Sequence, residues 1–192
     1  MRRIISALLC LFYLTAITGY GSKIEIYDDV SHYLEYMSFE SGNADSKWHK
    51  WGMDESIWPQ QISDASQVSD FKMVYYDPWG DAQYLGYLVV DYSNNEYASE
   101  VERLNDYPST DYVGYYDVRQ EETYELLAVS ADDYYGFVYA LTDGENRIIY
   151  AEQIFCNYYM DIDYEKYIKK DYLLDGFNAK EGNSYRKRML NE

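Results

Sequence analysis

Between Tyr112 and Cys156 four runs of β-prone residues follow one another with only short links, and that spacing constrains the fold more than any other feature. The runs are Tyr112 to Val118, Thr123 to Ser130, Tyr134 to Leu141 and Arg147 to Cys156. A parallel pair needs a crossover of a dozen or more residues, so strands joined this closely are expected to pair antiparallel. Asp132-Asp133 separates the second and third runs, and Asp143-Gly144 is a hairpin turn before the fourth. Upstream, Phe71 to Tyr76 and Gln83 to Tyr92 flank Asp77-Pro78-Trp79-Gly80-Asp81, where Pro78 starts a turn and Gly80 can take a positive φ.

One helix is expected between the two groups of strands. Ser93 and Glu96 have the spacing of a capping box. Tyr97, Val101 and Leu104 then share one face, and Pro108 follows an end near Asp106. The order predicts an α+β domain, a curved antiparallel sheet of about six strands with a helix packed on one face.

Tyrosine fills much of this pattern, with 26 in the chain. Its ring supplies apolar area while its hydroxyl needs water or a partner. Neighbouring residues in a strand point to opposite faces, so Tyr75-Tyr76, Tyr115-Tyr116 and Tyr134-Tyr135 are expected to give one ring to each side. Outside the strands, Val30 to Met37 has helical spacing behind a capping Asp28 or Asp29, and residues 41–54 read as a loop carrying Trp48 and Trp51. From Asp161 strand alternation is lost. Tyr164, Tyr167, Ile168 and Leu173 suit a short helix or turns that fold back on the domain.

The N-terminus reads as a secretory signal: Arg2 and Arg3 precede a charge-free, mainly apolar run from Ile4 to Ile17, shorter than the ~20 residues that span a bilayer. Three parts are expected: a signal peptide over 1–21, one acidic tyrosine-rich domain over 22–176, and a polar basic tail over 177–192. The alternatives for the leader are an uncleaved N-terminal anchor and lipidation at Cys10, which its place inside the apolar run disfavours. After cleavage no membrane span is expected, and the location is secreted or cell envelope. Cys156 is then the one remaining cysteine, which excludes an internal disulfide and suits a buried small hydrophobe. Losing Arg2 and Arg3 takes the formal charge from −18 to −20. Nucleic acid is a poor partner for such a surface, because its binding rests on Lys and Arg neutralising phosphates.

No catalytic residue and no cofactor follow from the motifs. His32 and His49 are the only histidines, and the sequence contains no His-Glu-x-x-His, nucleophile elbow or phosphate-binding glycine loop. Asp91, Ser93, Asn95, Tyr97, Ser99 and Glu102 have the spacing of a calcium loop, but Glu96 stands where that loop needs glycine, so the expectation is at most weak nonspecific calcium binding. Asp77, Asp81 and Glu152 are carboxylates that a glycan hydrolase could use, none distinguished among 34 acidic residues. Trp48, Trp51, Trp58 and Trp79 all fall within a mostly irregular stretch. Exposed, they would stack on sugars or anchor a protein interface; buried, they would complete a small core.

The segments Tyr134-Tyr135-Gly136-Phe137-Val138-Tyr139-Ala140-Leu141-Thr142-Asp143, Phe155-Cys156-Asn157-Tyr158-Tyr159-Met160-Asp161 and Tyr84-Leu85-Gly86-Tyr87-Leu88 resemble parts of uncharacterised exported proteins of anaerobic, gut-type Firmicutes. The resemblance implies a bacterial envelope or secreted setting and carries over no functional residue. Three functions fit the whole: a noncatalytic extracellular or cell-envelope domain binding a protein or glycan, a carboxylate-dependent secreted hydrolase acting on glycans, and a structural or inhibitory partner of an envelope protein.

Overall fold

The computed structural model describes residues 23–37, 46–50, 53–77, 80, 82–110, 123–132, 134–155 and 162–174. Six strands form one sheet: β1 (Ile24–Tyr27), β2 (Gln67–Tyr76), β3 (Gln83–Asp91), β4 (Glu125–Asp132), β5 (Gly136–Thr142) and β6 (Arg147–Ile154). Their spatial order is β1-β2-β3-β6-β5-β4, and every neighbouring pair is antiparallel. One α-helix, α1 (Asn94–Asn105), joins β3 to β4 and packs against β4. The domain is therefore α+β, as the short links require.

The six strands are not quite the six that the sequence suggests. Tyr112 to Val118 lies outside the described residues, as do residues 1–22, Cys156 and residues 175–192. The sixth described strand is β1, whose four residues are too few for alternation to stand out. Ile24↔Tyr76 and Tyr27↔Met73 register it along the end of β2. At the opposite edge Thr110 N–H donates to the Val129 carbonyl (2.9 Å). Val129 N–H donates to Ser109 Oγ and Ala131 N–H to Thr110 Oγ1, both at 3.1 Å, so Ser109 and Thr110 occupy part of the free side of β4.

Both faces of the sheet are covered. Tyr84, Leu88, Val90, Ala140, Ile148, Tyr150 and Ile154 face a layer made of α1, a 3-10 helix at Val30–Tyr36 and the segments around Trp48 and Trp58. Leu85, Val89, Phe137, Tyr139 and Ile149 face the other way, onto Tyr164, Tyr167, Ile168 and Tyr172 from two 3-10 turns at Tyr164–Lys166 and Lys170–Tyr172. This second cover explains why β3, β5 and β6 are buried almost throughout. Strands buried on both faces read as continuous apolar runs.

Local chemistry sets the joints. Asp29 caps the first 3-10 helix by accepting from Ser31 N–H (3.0 Å). Gly80 takes φ 79° in the β2–β3 turn, with its N–H on Asp77 Oδ1 (2.6 Å). On α1 Leu104 is buried while Tyr97 and Val101 pack at the core margin, as the helical spacing requires. The capping box is only half made. Glu96 accepts from the Ser93 N–H, but the Ser93 hydroxyl donates to Glu96 Oε2 (2.6 Å) rather than accepting from the helix backbone. Tyr134-Tyr135 also departs from expectation, since both precede β5 and their rings pack together edge to face at 4.8 Å. Tyr115-Tyr116 lies outside the described residues.

Three of the largest buried rings, Tyr92, Tyr139 and Tyr150, keep their hydroxyls paired. Tyr92 and Tyr150 hydroxyls meet at 2.7 Å, Tyr150 also donates to Glu100 Oε1 (2.6 Å), and Tyr139 donates to the Tyr172 carbonyl (2.6 Å). Such pairing lets a tyrosine-rich interior bury large rings without stranding their polar tips.

Candidate functional site

The segment Ser46–Lys50 lies on the α1 side of the sheet and sends two lysines to two different environments. Its backbone is fixed first: Tyr84 Oη donates to the Lys47 carbonyl (2.5 Å), Trp48 N–H to Ser46 Oγ (3.2 Å), and His49 N–H to the Ser46 carbonyl (3.0 Å). Tyr84 also presents its ring to Lys50 Nζ, 5.4 Å from the centroid. One tyrosine of β3 therefore touches both halves of the assembly.

Lys47 lies at the surface. Its ammonium is 4.7 Å from the Tyr27 ring centroid, 4.9 Å from Tyr75 and 5.1 Å from Trp48, all within the ~6 Å range of cation–π attraction. It donates to Glu25 Oε2 (2.8 Å) and to the Tyr27 hydroxyl, which itself donates to Glu25. Hydrogen bonds from Lys47 and Tyr27 hold the Glu25 carboxyl below its ordinary pKa. Burial works against the Lys47 charge, but the bonds to Glu25 and Tyr27 outweigh it and raise the lysine pKa. Behind these groups Tyr36 stacks on Phe71 and packs on Trp48 at 4.9 Å, so the rings form one continuous aromatic wall.

Lys50 points inward. Its Nζ donates to Glu55 Oε1 (2.5 Å) and to Glu152 Oε1 and Oε2 (2.7 and 2.9 Å), and all three side chains are sealed from solvent. Glu152 comes from β6, on the face shared by Ile148, Tyr150 and Ile154, opposite Gly86 of β3. Glu55 belongs to a 3-10 turn at Glu55–Ile57 whose start is capped by Asp54. Arg103 of α1 ties that turn down through the Ser56 and Ile57 carbonyls (2.9 and 2.7 Å).

Burial presses the Lys50 pKa down, but attraction to Glu152 and Glu55 leaves it raised and the lysine charged. Burial also pushes Glu152 up to about 8; Lys50 opposes that rise, while the neighbouring Glu55, hydrogen-bonded to Glu152, adds to it. A proton held on Glu152 lowers the charge that the dry cluster must carry beside the Lys50 ammonium. Glu152 holds its proton in the fold to higher pH than the unfolded chain, whose carboxyl is near 4.5. Its contribution to stability is thus full below the unfolded value and is lost as pH rises toward about 8. His32, raised by its hydrogen bond to Glu35, contributes with the same sign. The expected result is a urea midpoint that falls from about pH 5.5 to about pH 8.5, with a flatter fall in Glu152→Gln. Parallel profiles for the two proteins would refute the bound proton.

No family model, curated protein or solved structure matches this chain. The site is therefore read from its own geometry. Trp48 and Trp58 are both buried, Trp58 completely, while Trp51 and Trp79 lie outside the described residues. Trp58 packs against Tyr150 beneath α1, and Trp48 offers its face to a lysine of its own chain. Neither presents an open face for stacking on a sugar: Trp58 is enclosed by the core, and the outward face of Trp48 is taken by the Lys47 ammonium.

Of the carboxylates considered for catalysis, Asp77 serves the β2–β3 turn, Asp81 lies outside the described residues, and Glu152 is in the buried cluster. His32 sits at the surface between Asp29 and Glu35. The calcium spacing does not converge. Asp91 ends β3 in an ion pair with Arg147 (2.7 Å), and Asn95, Tyr97, Ser99 and Glu102 are spread around α1. Among the described residues no group of three or more His, Cys, Asp or Glu is arranged to hold a metal, and no described helix is long and apolar enough to cross a membrane.

Lys47, Lys50, Glu55 and Glu25 were not singled out by the sequence. One signal was available: Glu152 interrupts the inward row Ile148, Tyr150, Ile154, and a carboxylate at such a position requires a buried cation or a proton.

Proposed function

We propose that this chain is a noncatalytic extracellular or cell-envelope binding domain that contacts a protein or glycan through aromatic and acidic groups. The observation that carries this reading is the clustering of Tyr27, Trp48, Tyr75 and Glu25 around the surface ammonium of Lys47. Rings backed by a carboxylate are built to recognise a charged or polarised partner. The formal charge of −18 adds a long-range bias toward basic partners. The export-like N-terminal sequence and the resemblance to exported proteins supply the setting.

A hydrolase is supported less well. Glu55 and Glu152 share a hydrogen bond and are sealed from solvent, whereas glycosidases place two carboxyl groups about 5–10 Å apart beside an open sugar site. The test is retention of cell-wall fractions, host glycans and secreted basic proteins on the immobilised protein. Saturable, salt-weakened retention of one class is expected. No retention of any class would sink the reading, and release of sugar from any of the glycans would replace it with the hydrolase.

A further inference from the structure

We infer that the three ring faces of Tyr27, Trp48 and Tyr75, with the Glu25 carboxylate, form a binding site for a ligand ammonium group, and that Lys47 occupies it in cis. This rests on the binding-domain reading and names its chemistry: a lysine, methylated lysine or quaternary ammonium presented by a partner.

Three features separate this from an ordinary surface ion pair. First, three rings approach one nitrogen at 4.7–5.1 Å, the arrangement by which aromatic cages select ammonium ions. Second, the rings are positioned by contacts other than those to the Lys47 ammonium. Tyr27 and Tyr75 come from the paired strands β1 and β2, with Glu25 beside them. Trp48 is wedged among Tyr27, Tyr36, Tyr75 and Tyr84, and the Lys47 backbone is tied by Tyr84. Third, the occupant can leave. The Lys47 side chain is 40% exposed and Glu25 34%, so the lysine can swing away into water without disturbing the core.

Charge favours replacement by another cation. The groups facing this site are Glu25, the Tyr27 hydroxyl and the Tyr75 hydroxyl, which donates to Asp77 Oδ2 (3.2 Å), with Lys23 as a nearby countercharge. Removing the Lys47 ammonium leaves Glu25 without its bonded cation and the ring faces open. A tethered lysine also enjoys a high effective concentration, so it acts as a built-in competitor that a partner must displace.

The test uses the full chain and tetramethylammonium as probe, with neopentyl alcohol as an uncharged analogue of similar bulk, followed by tryptophan fluorescence and by NMR of the tyrosine rings. Lys47→Ala is expected to bind tetramethylammonium about tenfold more tightly than the wild type, and about tenfold more tightly than it binds the alcohol. Lys47→Met, which keeps the stem packing, serves if the alanine variant is unstable. Adding Glu25→Gln to either variant is expected to weaken tetramethylammonium and leave the alcohol unchanged. A folded Lys47 variant that binds no ammonium, or that binds ammonium and alcohol equally, overturns the inference. That result leaves the broader binding reading intact if the wild type still retains a cell-wall, glycan or protein fraction; loss of retention with a working ammonium site has the opposite meaning.

Discussion

Lys50→Met is expected to lower stability at pH 7 by about 3–5 kcal/mol, because it strands two carboxyl groups in a dry interior. Lys50 Nζ is bonded to both Glu55 and Glu152, each sealed from solvent. Without the ammonium the first carboxyl can stay neutral by keeping its proton, but the second must either ionise without the lysine's countercharge or take up another proton. The loss should therefore shrink as pH falls below the ordinary carboxyl range, where both groups are neutral in the folded and unfolded states. Urea titrations at several pH values measure this directly. The triple replacement Lys50→Met, Glu55→Met and Glu152→Met should recover most of the loss, since an apolar set of similar volume is often as stable as a buried ion cluster. A Lys50→Met protein within about 1 kcal/mol of the wild type at pH 7, the range of an ordinary point mutant, would show that the cluster is not sealed.

Gly136→Ala should cost about 3 kcal/mol or more, for two reasons that add. Gly136 opens β5 at φ 132°, in the region that L side chains avoid, and such strain costs roughly 1–3 kcal/mol. A Cβ there would also overlap the Gln153 carbonyl oxygen and stand 2.9 Å from the Ile154 Cα, on the neighbouring central strand. Backbone cannot step aside as a side chain can, and overpacking adds roughly another 1–3 kcal/mol. Gly86→Ala is the natural comparison. Its Cβ would strike the Met73 thioether and reach 3.4 Å from Glu152 Cγ, but the methionine is flexible and no left-handed strain is involved. The expected order of urea midpoints is wild type, Gly86→Ala, then Gly136→Ala. Equal losses at the two glycines would show that the backbone contact at Gly136 is not a constraint.

Features set by nearby residues were legible in the sequence. Alternation and turn chemistry place β2 with β3 and β5 with β6, and helical spacing assigns Leu104 to the core face of α1. β1 is not legible in the sequence, because four residues carry too short a pattern. The second covered face was only hinted at by Tyr164, Tyr167 and Ile168, since apolar residues in a turn-rich segment do not say which surface they will meet. The candidate site was least legible of all. Lys50 and Glu152 stand 102 positions apart, and the ring cluster around Lys47 draws on β1, β2 and a loop. Glu152 was one acidic residue among 34 until the sheet placed it opposite Gly86. The tryptophans posed the reverse difficulty: an aromatic run in an irregular segment suits a surface patch and a core plug equally, and only docking of that segment on β3 and β6 separates them.

β1 has a further consequence through what it hides. It is four residues long, yet it lies along the most apolar part of β2, where Met73 and Val74 pair with Tyr27 and Ile26. An exposed strand edge is a template for another chain, and long flat apolar edges are the dangerous ones. At the far side Ser109 and Thr110 already occupy part of β4. A shortened protein starting at Val30 would lack this narrow hem and uncover the edge of β2 from Met73 to Tyr76, turning a covered apolar edge into one that seeds aggregation.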